Sequence, residues 1–285
     1  MRLYNIRLPH FPPSEGSSAL TLEEGSRILL LGASGSGKSS LLKLIAGFSE
    51  PASGEIDDGG KRSALLLQNP FHQIIMQTVH DELVFPRKNA GCSSAEAEAA
   101  VKETAGTFGI RHLLERDMAS LSFGETQQVM LAATFLTDAD IMLLDEPTSH
   151  LDRKAMQACY RCTDRAAAGG KTVLVASQNP DEYFYFDTVW IMKAGTVQAC
   201  MRSEDFAEKH AEYGIIPDSS LIRRRLHDLA EKSVCKLYPF RYRITEGKTL
   251  VNERETDLGP YSCIALMGAV GSGKSQLIKL LADSH

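Results

Sequence analysis

Two textures alternate along the chain. Continuous apolar runs at Arg27–Leu31, Ser63–Leu67, Ile141–Leu144 and Thr172–Ala176 read as short strands. Runs of this kind, apolar without alternation, are typical of strands covered on both faces in a parallel sheet. Between them the apolar residues recur at helical spacing. Ser39 to Gly47 carries Leu41, Leu42, Leu44 and Ile45 on such a period. Ser93 and Glu96 have the spacing of a capping box ahead of an alanine-rich helix, with Gly106 or Gly109 as its stop. Arg153 to Ala168 also reads as helix, and the whole stretch from Pro86 to Ser120 has a helical texture. Before Leu31 the pattern is of shorter strands broken by Pro9, Pro12, Pro13 and Gly16. Residues 203 to 234 are polar and largely helical, a connector, and a strand-like pattern resumes near Cys235. These elements predict an α/β core with a β-rich N-terminal part and a helical insertion.

Composition changes this picture little. Of 285 residues, 43% are hydrophobic and 24% charged, the balance of an ordinary globular protein. The formal net charge of −5 argues against a broad basic surface, so no nucleic-acid partner is expected. No apolar run approaches the roughly 20 residues needed to cross a bilayer. The opening residues lack the apolar segment of a secretory signal, so a cytoplasmic location is expected. Cys159 and Cys162 form a lone C-x-x-C inside a helical pattern, which reads as two small residues on neighbouring turns rather than a zinc site.

A repeat divides the chain. Gly32–Ala46 matches Gly268–Ala282 without a gap, with 11 of 15 positions identical. Leu3–Leu8 and Leu237–Tyr242 correspond more loosely. The expected organisation is one complete unit at 1–215, a connector at 216–234, and the first part of a second copy at 235–285.

The repeated segment has chemistry of its own. Gly32, Gly37, Lys38 and Ser39 fit the glycine-rich loop that follows a strand and opens a helix. Such a loop brings backbone N–H groups of Ser34, Gly35, Ser36, Gly37 and Ser40 to phosphates at a helix N-terminus. Lys38 would bind the β- and γ-phosphates and Ser39 would ligate Mg²⁺. Gly268, Gly271, Ser272, Gly273, Lys274 and Ser275 repeat the set, with Ser275 on the metal of a second site. Ile141–Leu144 ends in Asp145 and Glu146. Asp145 would hold Mg²⁺, and Glu146 could act as general base on the attacking water.

Leu121-Ser122-Phe123-Gly124-Glu125 precedes that acid strand, and Asp145-Glu-Pro-Thr-Ser-His-Leu-Asp152 follows it. With the glycine loop and Gln68 after the Ser63–Leu67 strand, this order of motifs resembles the ATP-binding cassette (ABC) ATPases. The resemblance covers residues 1 to about 215 and restarts near 235. It implies a P-loop NTPase core, ATP and Mg²⁺ as ligands, and Gln68 as a contact to metal and water. It also implies a head-to-tail pair of cassettes, in which Ser122, Gly124 and Glu125 serve the nucleotide of the opposite glycine loop. The second cassette would come from the full-length chain or from another molecule. Phe123 and Glu125 depart from the family's usual Leu-Ser-Gly-Gly-Gln. Gln178 stands where the family places a switch histidine. A glutamine can donate to the γ-phosphate but cannot carry an imidazolium charge, so slow hydrolysis at the Lys38 site is expected. The family's adenine-stacking aromatic lies upstream of the glycine loop. Tyr242 fits that position in the second copy, whereas the first has Leu8, with Phe11 close by.

Gln68-Asn-Pro-Phe-His-Gln73, followed by Thr78, Val79 and Glu82, resembles the tandem ATPase subunits of energy-coupling factor (ECF) importers, as does Glu212–Pro217. This implies uptake of a vitamin or transition-metal ion, with a coupling protein and a substrate-binding protein in the membrane as partners. The chain would then sit on the inner face of the membrane, docked through a groove around Gln68–Phe85. Alternatively, Phe71–Phe85 is a surface helix with an apolar stripe. A soluble tandem ABC ATPase acting on ribosomes or DNA also stays open, although the connector carries only one basic cluster, Arg223–Arg225. After Lys274 only 11 residues remain, too few for the other motifs of a second cassette. The expectation is a piece of a longer tandem protein with low ATPase activity in isolation.

Overall fold

The computed structural model describes residues 1–9, 11 and 19–215, together with the backbone of four short strands beyond residue 234. The chain divides into two units, Met1–Ile216 and Pro217–His285. In the second unit Cys235–Leu237 pairs antiparallel with Thr256–Leu258, and Phe240–Arg243 with Thr249–Asn252. The expected connector at 216–234 and the second glycine loop, Gly268 to Ser275, lie outside the described residues.

The first unit is built on a six-stranded sheet. Its strands are β3 (Arg27–Leu31), β5 (Ser63–Leu66), β6 (Ile141–Asp145), β7 (Thr172–Ser177), β8 (Thr188–Lys193) and β9 (Thr196–Arg202), in the order β5-β6-β7-β3-β8-β9. All neighbours are parallel except the β8–β9 hairpin. A smaller antiparallel sheet joins β1 (Arg2–Arg7) to β2 (Leu20–Thr21) and β4 (Ser53–Asp57).

The apolar runs are unbroken because both faces of the large sheet are covered. Leu29 and Leu31 point into one core with Met142, Leu144, Val173 and Val175. Ile28 and Leu30 point into the other with Ile141, Leu143 and Leu174. The first core is closed by α2 (Val79–Asn89), α3 (Ser94–Phe108), α4 (Phe123–Phe135) and α5 (Arg153–Ala168). The second is closed by α1 (Lys38–Ile45) and the small sheet. The short α6 (Ser203–Lys209) belongs to this unit, because Phe206 is fully buried in the first core and lies 5.3 Å from Tyr183. Phe206→Ala is expected to cost about 3–5 kcal/mol, read as a lowered denaturation midpoint.

Two boundaries differ from the sequence reading. The helical texture begins before Pro86, which lies inside α2. Thr78 caps that helix through Asp81 N–H, and the proline sits late enough for the last turn to form around it. Phe71–Phe85 is not one helix. A 3-10 turn at Pro70–Gln73, capped by Asn69, is separated from α2 by Ile74–Gln77. The Ser93–Glu96 capping box does form, and Gly109, in the left-handed region at φ 71°, ends α3. Cys159 and Cys162 are free thiols on α5. No helix among the described residues is long and apolar enough to cross a membrane.

Candidate functional site

Strands β3, β6 and β7 are parallel neighbours, so the loops leaving them emerge at one edge of the sheet. In open α/β sheets this edge is where ligands bind. A pocket of about 250 Å³ lies there, lined by Phe11, Ser34, Gly35, Gly37, Lys38, Ser39, Ser40, Gln68, Glu146 and Gln178.

The loop after β3 needs its glycines. A side chain on Gly32 would come within 2.5 Å of the Met192 carbonyl, and Gly37 adopts φ 106° against Met192, Leu8 and Phe11. Gly37 is also the residue that starts α1, and no side chain caps this helix. By contrast α2, α3, α4 and α5 are capped by Thr78, Ser93, Ser122 and Asp152. The first N–H groups of α1 therefore face the pocket without an internal acceptor, an arrangement suited to an anion. Lys38 is buried at 6% exposure, and its Nζ donates to the carbonyls of Gly32 (2.7 Å) and Ala33 (3.2 Å). Burial lowers its pKa, opposed by the charges of Glu146 and Asp145. Leu8 is core, 1% exposed, whereas Phe11 reaches the pocket.

Asp145 ends β6 beneath this loop. Burial pushes its carboxyl pKa up, opposed by a hydrogen bond from Ser39. Its Oδ1 is buried without a hydrogen-bond partner. A buried unpaired carboxylate oxygen beside a hydroxyl is an all-oxygen donor set of the kind Mg²⁺ takes with substrate phosphates. Glu146 follows at φ 49°, a left-handed conformation that is uncommon for a residue with a side chain. Its backbone is held on three sides. The N–H donates to Ala176 O (2.9 Å), and the carbonyl accepts from Gln127 Nε2 (3.1 Å) and Ser149 Oγ (3.0 Å). Its carboxylate accepts from Gln178 Nε2 (2.5 Å) and Gln68 Nε2 (3.4 Å). Residues separated by 78 and 32 positions thus converge on one side chain.

Ser122, Gly124 and Glu125 do not line this pocket. Ser122 caps α4, and both its N–H (2.8 Å) and its hydroxyl (2.7 Å) donate to Glu125 Oε2. Arg116 reaches Glu125 Oε1 at 3.3 Å. Partial burial would raise the Glu125 pKa, but these hydrogen bonds and Arg116 hold it below the usual range. The departure from glutamine at position 125 therefore has a local use as a helix cap.

The sequence reading missed two buried contacts. Gln127, 2% exposed, ties α4 to Glu146. Its only sequence signal is its position on the face of α4 that turns inward. Glu182, 4% exposed, accepts from Thr148 Oγ1 at 2.8 Å, below the segment that follows Glu146. Burial raises its pKa, so its contribution to stability is full below the unfolded carboxyl pKa and is lost as pH rises through the folded value. Glu182→Gln should remove that dependence. Its melting temperature should gain on the wild type between about pH 4 and pH 8, a range that spans the usual carboxyl titration.

Residues 17–149 match the protein family described as ABC transporter. A putative ABC transporter ATP-binding protein of Listeria monocytogenes is 32% identical over 207 residues, covering 66% of this chain and 77% of the relative. The energy-coupling factor transporter ATP-binding protein EcfA2 of Streptococcus sanguinis is 28% identical over 253 residues, covering 81% of this chain and 90% of the relative. The solved structure of an ATP-binding subunit of an ABC transporter superposes with a TM-score of 0.65 at 23% identity, covering 79% of this chain and 98% of that one.

Proposed function

The chain belongs to the ABC transporter ATP-binding proteins, an ATP-hydrolysing family, and we propose that it powers an ECF-type importer of a vitamin or transition-metal ion. The observation that carries the nucleotide assignment is the pocket itself. An uncapped helix N-terminus, a buried lysine and a clamped glutamate share one cavity, as phosphate binding and hydrolysis require.

In this reading Lys38 and the N–H groups of Gly35 to Ser40 hold the phosphates. Ser39, Asp145 and Gln68 would hold Mg²⁺, which supplies charge neutralisation on the phosphates. Glu146 orients and deprotonates the attacking water, and Gln178 donates to the γ-phosphate. Phe11 offers an aromatic face at the rim for the base. Ser122 and Gly124 serve a nucleotide held by a second cassette, in the same full-length protein or in another molecule. In the sequence repeat, Gly268, Gly271, Ser272, Gly273, Lys274 and Ser275 are the residues for a second phosphate site.

The importer assignment rests on Gln68–Gln73, Thr78, Val79 and Glu82, and on the likeness to EcfA2 of Streptococcus sanguinis. A cavity of about 360 Å³ lies beside that segment, lined in part by Leu65, Ile75, Phe85, Pro86, Met130 and Ala133. We place the membrane coupling protein there, with a substrate-binding membrane protein beyond it and this chain peripheral on the cytoplasmic face. Purification from native membranes tests this: an integral membrane protein should co-purify, and recovery with ribosomes or DNA instead would replace the reading.

A further inference from the structure

The turn after Gln68, the start of α4 and the stretch after Glu146 meet through aromatic rings. Phe71, in the turn after Gln68, lies edge-to-face with Phe123 at 5.7 Å between ring centroids. Phe123 in turn meets the His150 ring at 4.5 Å and 72°. The phenylalanines are 42% and 36% exposed, so solvent exclusion alone does not account for three aromatic groups gathering there.

The polar contacts on the inner side close these loops into a ring. Gln73 fixes the Gln68 segment to the end of β5, accepting from Leu67 N–H and donating to Leu65 O, both at 2.7 Å. Gln68 reaches the Glu146 carboxylate, and Gln127 of α4 holds the Glu146 carbonyl. Phe123 is the first residue of α4, and His150 lies four positions beyond Glu146. The same three segments are therefore tied twice, through the Gln68 and Gln127 amides on Glu146 and through rings that do not line the pocket. A glycine at position 123 would remove the outer tie and leave the inner one intact.

We propose that Phe71 and Phe123, with His150, are positioning residues that transmit occupancy of the Lys38 pocket to the Ser122–Glu125 loop of the same chain. The inference rests on nucleotide binding in that pocket. A ligand that draws Gln68 and Glu146 together shifts the turn carrying Phe71, and the ring contacts pass the shift to the start of α4. Without the rings the turn carrying Phe71 no longer moves the start of α4, and only the Gln127 contact, one turn further along that helix, remains.

Hydrogen exchange on the full chain tests this, in a Lys274→Ala background so that only the first pocket is filled, with Mg-ATPγS as the probe and at a dilution where light scattering shows a monomer, so that no second copy covers residues 119–126. Protection should appear at residues 33–39 and also at 119–126, where exchange slows roughly tenfold. Phe123→Gly and Phe71→Ala should each keep the first effect and lose the second, and Phe123→Tyr should restore it. Persistence of protection at 119–126 in the glycine and alanine variants overturns the proposal. So does failure of the tyrosine variant to restore it, or absence of that protection in the parent chain. Absence of protection at 33–39 in the parent would instead overturn nucleotide binding in this pocket.

Discussion

Lys38→Ala is expected to weaken nucleotide binding at the first pocket by roughly 100-fold or more. The ammonium is the one side-chain cation among the described residues lining that cavity. It sits on the Gly32 and Ala33 carbonyls, preorganised at the mouth of the loop. Charge-assisted hydrogen bonds contribute about 1.5–3 kcal/mol each, and Lys38 would make two or more with the phosphates. The loss of affinity should therefore be on the order of 100-fold or greater. Calorimetry with Mg-ATP on the Lys274→Ala chain, with and without the second substitution, reads it directly. Unaffected affinity would remove Lys38 from the site. Burial also lowers the Lys38 pKa, and the charges of Glu146 and Asp145 oppose that shift.

Gln178→His is expected to raise the rate of the chemical step. Gln178 Nε2 donates to Glu146 Oε1, so the amide occupies one oxygen of the proposed general base. An imidazolium could make the same contact and also carry charge to the γ-phosphate. A gain of roughly tenfold in single-turnover hydrolysis would match about 1.4 kcal/mol of added transition-state stabilisation. The assay needs a paired cassette, because Ser122 and Gly124 do not reach the pocket of their own unit. Glu146→Gln in the histidine background should spare binding and cancel the gain. A rate unchanged by Gln178→His would mean that the glutamine does not limit this site.

The strands and helices of the unit were legible in the sequence wherever a local rule decides them. Two-sided burial leaves unbroken apolar runs at β3, β6 and β7, and those runs were visible. The capping box at Ser93 and the C-terminal Gly109 were visible for the same reason, since each is satisfied by neighbours within a turn. The sequence reading begins the helical stretch at Pro86, whereas packing of Val79, Leu83 and Val84 starts α2 at Val79 and holds it together around the proline. Glu125 stands at the last position of its motif, and its turn onto Ser122 and Arg116 is a contact that only the folded chain reveals.

By itself, then, the sequence determined the glycine-rich loop from Gly32 to Ser40, the acids Asp145 and Glu146 at a strand end, and the family to which these belong. Each is a contiguous pattern governed by backbone geometry over a few residues. The tertiary structure decided which distant side chains share the pocket: Phe11 beside Gly37, Gln68 and Gln178 on one carboxylate, Gln127 on the carbonyl behind it. It also decided that Phe71, Phe123 and His150 meet. Periodicity tells that a strand is buried, but not which strand lies beside it. The order β5-β6-β7-β3-β8-β9 follows from how the helices and the small sheet cover the two faces of the whole sheet, and that order brings these loops to one edge.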